Sequence, residues 1–307
     1  MRVDYSILAS EVAVPTGMNL SIAHAVSHSD LARFSLYDFD QQAYTIAPIE
    51  YLEAGEIESR VKQLILLIID PLLSKLPQAL KPLPLLISIP HTLNQSKMLD
   101  WLEQQAFSQY ISKITICYSA GIEVLQQCTG SLDSCDVTMC VCVDSVLENV
   151  ESLAEQGEVL GKETPWGVIP GEGAAGIVMG KGGTIRQLKI GCESTMSYVD
   201  YDWKSDDRRG CLRLARKAKE WVKNIDAIHS DMVNLRSHTE DLGFALSVLP
   251  NPSSVTSTNE WWGTIGSASV LATLSSFQCL PNHIQSGLVY LFDQHHARAL
   301  IKLERPE

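Results

Sequence analysis

No hydrophobic run in this sequence is long enough to cross a bilayer. The longest, residues 64–69, is closed off by Gln63 and Asp70, whereas a spanning helix needs about 20 apolar residues. Segment 1–17 lacks the basic flank and apolar stretch of a secretory signal. Low-complexity tracts and linker-like stretches are missing as well. So is an excess of cations: the formal net charge is −12, and an acidic protein repels both nucleic-acid phosphates and anionic lipid. The eight cysteines include no paired CxxC spacing. Without a secretion signal they read as reduced thiols, and a cytoplasmic location is expected.

What is present is ordinary for a folded protein. Hydrophobic residues make up 45% and charged residues 20% of 307, enough for a sizeable core in one large domain or two fused halves. Strand and helix patterns alternate. Helices are expected over 56–76, with a bend at Pro71, and over 96–107, 119–128, 208–222, 239–249 and 265–277. Strands are expected over 85–89, 114–117, 136–143, 185–190, 225–228, 253–256, 286–292 and 298–303. In helix 208–222 one face carries Cys211, Leu214, Ala215, Ala218, Trp221 and Val222. Alternating strands and helices imply right-handed crossovers and a mainly parallel sheet covered on both faces. The theme occurs twice, which divides the chain into halves at 1–190 and 191–307, packed as one compact unit.

Three segments, in order, resemble landmarks of the β-ketoacyl synthases, a group within the thiolase superfamily. Residues 136–145, DVTMCVCVDS, are similar to the strand that follows the nucleophile helix. Residues 166–176, WGVIPGEGAAG, are similar to the family's Gly-Phe-x-x-Gly-Glu-Gly-Ala-Gly turn. Residues 257–269, STNEWWGTIGSAS, resemble its Ser-Thr-Lys-x-x-x-Gly-His segment. Likeness is best from about Cys117 onward, and the chain is shorter than a usual synthase. The resemblance implies an α/β, thiolase-like layered αβαβα fold from two pseudo-duplicated halves with mainly parallel sheets.

Position by position, the resemblance also implies altered chemistry. Condensation in the family needs a cysteine at a helix N-terminus, where backbone N–H groups and the helix dipole favour the thiolate. Aligning Gly121-Ile122-Glu123 places Tyr118 there, a bulkier and poorer acyl acceptor, with Cys117 one residue early. The family's first histidine corresponds to Asp231, its lysine to Asn259 and its second histidine to Thr264. His229 lies two residues before Asp231, and Cys117 with His229 form the backup catalytic pair. The C-terminal glycine loop corresponds to 293–296. A non-catalytic accessory or scaffold protein is therefore expected. It would act as a homodimer or as a heterodimer with a synthase subunit, contacting an acyl carrier protein, or serve as an adaptor for a secreted effector in a type VI secretion cluster. The alternative is an acyltransferase, thioesterase or condensing enzyme on acyl thioesters. A third possibility is a small acyl-ligand binder without turnover.

Several residues admit a plainer reading beside a sharper one. Gly171, Glu172 and Gly173 read as a structural turn, the carboxylate satisfying backbone donors; no Lys-Ser/Thr pair follows to make a phosphate loop. Arg208, Arg209, Arg213, Arg216, Lys217, Lys219 and Lys223 read as a solvated helix face, or as a docking patch for an acidic partner. Cys117, Cys128, Cys135, Cys140 and Cys142 crowd together, but in a buried-strand pattern free cysteine behaves as a small apolar residue. No metal site and no cofactor are expected. His229 reads first as a hydrogen-bonded core histidine. His295 and His296 read as a turn between the last two strands. Trp261 and Trp262 either fill the old active site or form an exposed anchor.

Overall fold

The computed structural model describes every residue except 30, 54, 205–206, 223–224, 250–253, 293–296 and 307. Among the described residues the strands are β1 (Arg2–Ala13), β2 (Ser35–Phe39), β3 (Gln42–Ile46), β4 (Leu83–Ser88), β5 (Ile111–Cys117), β6 (Val137–Ser145), β7 (Glu172–Lys181), β8 (Ser194–Asp202), β9 (Ala227–Ser230), β10 (Val255–Ser257), β11 (Ser286–Phe292) and β12 (Arg298–Glu304). The α-helices are α1 (Leu20–His28), α2 (Ile57–Lys75), α3 (Gln95–Glu103), α4 (Gly121–Ser131), α5 (Val150–Glu155), α6 (Gly182–Leu188), α7 (Gly210–Lys217), α8 (Arg236–Leu246), α9 (Asn259–Trp262) and α10 (Ala268–Ser276).

Local chemistry explains many of these boundaries. Asn19 and Asn94 cap α1 and α3, each side-chain oxygen accepting from a backbone N–H three residues on. α2 buries Val61, Leu64, Ile65, Ile68, Ile69 and Leu72, the three-and-four spacing of one helix face. Pro71 lies inside α2, which continues to Lys75. β6 is buried on both faces through Val143 and so reads as a nearly unbroken apolar run.

Ten strands form one sheet in the order β10-β9-β11-β12-β8-β1-β7-β6-β4-β5. Its two ends have the same plan. In β5-β4-β6-β7-β1 only β7 runs against the other four; in β10-β9-β11-β12-β8 only β12 does. Numbered within each set, both read 3-2-4-5-1. The sets meet where β1 and β8 pair antiparallel. α2 and α3 cover the outside of the first set, and α7 and α8 cover the outside of the second. α4 and α10 lie between, in a core shared by β6, β7, β11 and β12. Every residue of α10 is buried, as a central layer requires. The layered α/β fold with duplicated halves is the one expected, with both flanks parallel and an antiparallel seam in the middle.

Two expectations are corrected. Residues 185–190 form no strand: α6 occupies 182–188 and ends on Lys189 in a left-handed conformation. Ile185 is its buried anchor while Leu188 is exposed, so the apolar spacing that suggested a strand is incidental. The helix expected over 208–222 is shorter and stops at Lys217. Its apolar face is buried except at Trp221, which lies at the surface against Tyr198 and Arg2. The expected strand 253–256 is β10, with Ser253 outside the described residues.

Candidate functional site

The Gly-Glu-Gly segment is not a turn. Glu172 and Gly173 open β7, and Gly171 bridges to Ala47. Glu172 is buried, and one of its carboxylate oxygens accepts from the Ile49 N–H at 2.9 Å. Its chief partner is Arg60 of α2, which donates from Nε at 3.0 Å and from Nη2, while Nη2 also reaches the Ile49 carbonyl. The carboxylate thus satisfies a backbone donor as expected, but it does so across the fold. Gly171 sits in a crowded place: a Cβ there would stand 3.1 Å from the Trp262 carbonyl oxygen. Nothing in the sequence pointed to Arg60, which lies 112 residues from its partner.

Tyr118 follows β5 and precedes α4 by two residues. It is half exposed, and its hydroxyl donates to the Leu93 carbonyl at 2.6 Å. Cys117 ends β5, its Sγ 3.6 Å from the Ile87 carbonyl oxygen. Glu123 is the acidic residue in the first turn of α4.

Asn259 and Thr264 line one cleft of about 330 Å³, together with Phe34, Ile169, Met232 and Ser257. Asp231 adjoins it: its carbonyl accepts from the Asn259 amide, and its carboxylate accepts from the Phe292 N–H at 2.7 Å. Thr264 is held by backbone bonds to Ile169 and Gly171, and its buried hydroxyl has no hydrogen-bond partner among the described residues. His229 is buried in β9 with Nδ1 2.8 Å from the Ser276 hydroxyl and Nε2 without a partner. Burial, then the fields of His24 and His28, lower its pKa to about 4, so it is neutral at pH 7. The expected hydrogen-bonded core histidine is what the structure contains.

The tryptophans divide. Trp262 is fully buried, its indole N–H donating to Ser27 of α1 at 3.0 Å. Trp261 is half buried, edge-on to Trp262 and beside His24 and His28. Trp262 therefore packs towards α1, and the cleft at Asn259 and Thr264 stays open.

Three of the seven residues of the basic run are paired within the chain. Arg213 sits between Asp202 and Asp207 at 2.6 and 2.5 Å, Arg208 pairs with Glu240 at 3.0 Å, and Lys217 lies 3.6 Å from Asp200. Arg209 lies over Phe244. Arg216 and Lys219 are exposed, and Lys223 lies outside the described residues. Cys128, Cys140 and Cys142 are buried in the central core, with Cys117 and Cys135 packed against it. His295, His296 and the rest of the expected gating loop 293–296 lie outside the described residues.

No family model and no curated protein matches the sequence. The fold is found among solved structures. A type II polyketide synthase acyl-carrier protein in complex with its ketosynthase, AntDE:AntF, aligns with a TM-score of 0.80 at 10% identity over 100% of both chains. The PfaC ketosynthase–chain length factor aligns at 0.76 and 9% identity, over 100% of this chain and 48% of that one. A β-ketoacyl synthase from Burkholderia phymatum aligns at 0.71 and 9% over 100% of both. The chain has the thiolase-like fold of the ketosynthases and chain length factors.

Proposed function

We propose that the chain is a non-catalytic, ketosynthase-like subunit that works by binding a protein partner. The observation that carries this reading lies ahead of the central helix. The landmark alignment puts Tyr118 at the place of the thiol that condensation needs, and its hydroxyl is engaged by the Leu93 carbonyl. The residues matched to the family's imidazoles and lysine are a carboxylate, a hydroxyl and an amide, Asp231, Thr264 and Asn259, in place of groups that would polarise a thioester carbonyl. Cys117 and His229, the backup pair, are bonded to Ile87 and Ser276 respectively, and not to each other.

The partner surface follows from the sheet. β5 is its edge, paired only to β4. The Cys117 carbonyl accepts from Ile89 on the β4 side, so by alternation Ile114 and Ile116 present their N–H and C=O groups outward. An unpaired edge is a template for another chain. Two of the similar structures contain a ketosynthase with a second protein or chain length factor, which supports a homodimer or a heterodimer with a complete synthase subunit.

The test is intact-mass spectrometry after incubation with malonyl- and acetyl-CoA. No covalent adduct is expected; an acyl adduct on Cys117 that disappears in Cys117→Ser would overturn the reading. Light scattering on the purified chain, alone and with a synthase subunit, should show a dimer. The open cleft supports a second reading, an acyl-ligand binder: about 330 Å³ is within the range of small-molecule sites, and the Thr264 hydroxyl lacks a partner. Thermal stabilisation by acyl-CoA without turnover would favour that reading.

A further inference from the structure

We propose that His24 and His28 of α1 form a two-imidazole chelate for a divalent cation of the Cu²⁺ or Ni²⁺ type. Residues four apart stand one above the other on a helix face. Here the two Nε2 atoms are 2.9 Å apart and the ring centroids 4.1 Å. Two neutral rings that close share one N–H···N hydrogen bond, or both turn a lone pair to the same ion.

The separation selects the ion. With metal–nitrogen bonds of about 2.05 Å, 2.9 Å between nitrogens subtends about 90° at the metal. That is the cis angle of square or octahedral coordination, which suits Cu²⁺ and Ni²⁺. Tetrahedral Zn²⁺ would need about 3.3 Å between the nitrogens, so the rings would have to open.

Binding needs a change of tautomer and no net loss of a proton. The ring that donates from Nε2 moves its hydrogen through solvent to Nδ1, and the cation takes the lone pairs of both Nε2 atoms.

The surroundings fit a built but incomplete coordination shell. Trp261 walls one side, its ring centroid 5.1 Å from that of His28 and 5.9 Å from that of His24. The bond from the Trp262 indole to Ser27 ties α1 to α9, so the helix carrying both ligands is fixed beforehand. His28 is exposed, which leaves room for water at the remaining positions. Among the described residues no group of three or more His, Cys, Asp or Glu could hold a metal, so binding is by two protein ligands and is exchangeable. Through Trp261 the ion adjoins α9, whose Asn259 lines the cleft.

The test uses chelator-treated protein titrated with NiCl₂ or CuSO₄, followed by tryptophan fluorescence and calorimetry. The expected result is saturable, partial quenching at one ion per chain, because Trp261 and Trp262 are two of six tryptophans. His24→Gln and His28→Gln should each weaken binding by about tenfold or more, since each removes the second, intramolecular ligand. In the unaltered chain Ni²⁺ should protect both histidines, but not the exposed His283, from diethylpyrocarbonate. Quenching that never saturates, equal binding by the variants, or modification that is the same with and without the ion overturns the proposal.

Discussion

Replacing Arg60 by methionine separates a structural role for Glu172 from a catalytic one. Glu172 is 3% exposed and Arg60 19%, so Arg60→Met leaves a buried carboxylate with the Ile49 N–H as its remaining donor among those described above. Breaking a buried pair from one side costs about 3–5 kcal/mol, mostly the desolvation of the charge left behind. For a chain of this length that is a fall of about 5–8 °C in Tm. Glu172→Gln is milder, because its amide oxygen can still accept from Ile49. The double variant Arg60→Met/Glu172→Gln should lose less than Arg60→Met alone, since no unpaired charge remains. The assay is urea unfolding of all three at pH 7, with far-UV dichroism. An Arg60→Met loss within about 0.5 kcal/mol, or a double variant that loses as much as Arg60→Met alone, refutes the reasoning.

Two further changes test the core and its pH dependence. In a helix Gly→Ala normally stabilises by about 1 kcal/mol, but Gly121→Ala should destabilise by about 1–3 kcal/mol, because its Cβ would stand 2.5 Å from the Ser267 carbonyl oxygen and 2.7 Å from Val270; an unchanged urea midpoint contradicts this. His229, at about 4 in the folded chain because it is buried and about 6.5 when unfolded, takes its proton preferentially in the unfolded state. Its contribution is whole above pH 6.5 and falls as pH drops towards 4, by about 3 kcal/mol, so His229→Gln should flatten urea midpoints between pH 7 and 4.5; parallel slopes in variant and parent refute it.

How far the sequence could be read depends on where each residue's partner lies. β11 and β6 were legible because runs such as 286–292 are apolar and closed by polar residues. β1, twelve residues long and central, was not. Ser6, Ser10 and Glu11 interrupt its pattern, yet all three are buried. Ser10 is bonded to Glu193, and Glu11 to Lys75 and the N–H of Leu20. Partners 64 and 183 residues away leave no local trace. The site shows the same division. Glu172 stood out between its glycines, whereas Arg60 did not. The split between Trp261 and Trp262 was hidden too, because it depends on α1 packing beneath them.

The three landmarks that suggested the family are one contact network. Val146, just after the first, donates its N–H to the Gly171 carbonyl of the second at 2.8 Å, and Ser145 pairs with Glu172. Gly171 donates to the Thr264 carbonyl of the third at 3.0 Å. The third returns to the first through Asp144, whose carboxylate accepts from the Ser267 N–H at 2.8 Å and, with its other oxygen, from its neighbour Ser145 at 2.9 Å. Burial raises the pKa of Asp144, and these N–H donors oppose the rise. Gly266 has φ +57°, and a Cβ there would overlap the Asp144 carboxylate, so the link demands glycine on both conformational and steric grounds. Most of these bonds are made by backbone atoms, and none uses the side chain of Tyr118, Asp231, Asn259 or Thr264. The landmarks therefore report how the two halves are locked around α4 and α10. Bonds of this kind belong to the scaffold, so motif likeness points to the fold, while what the site does rests on its own side chains.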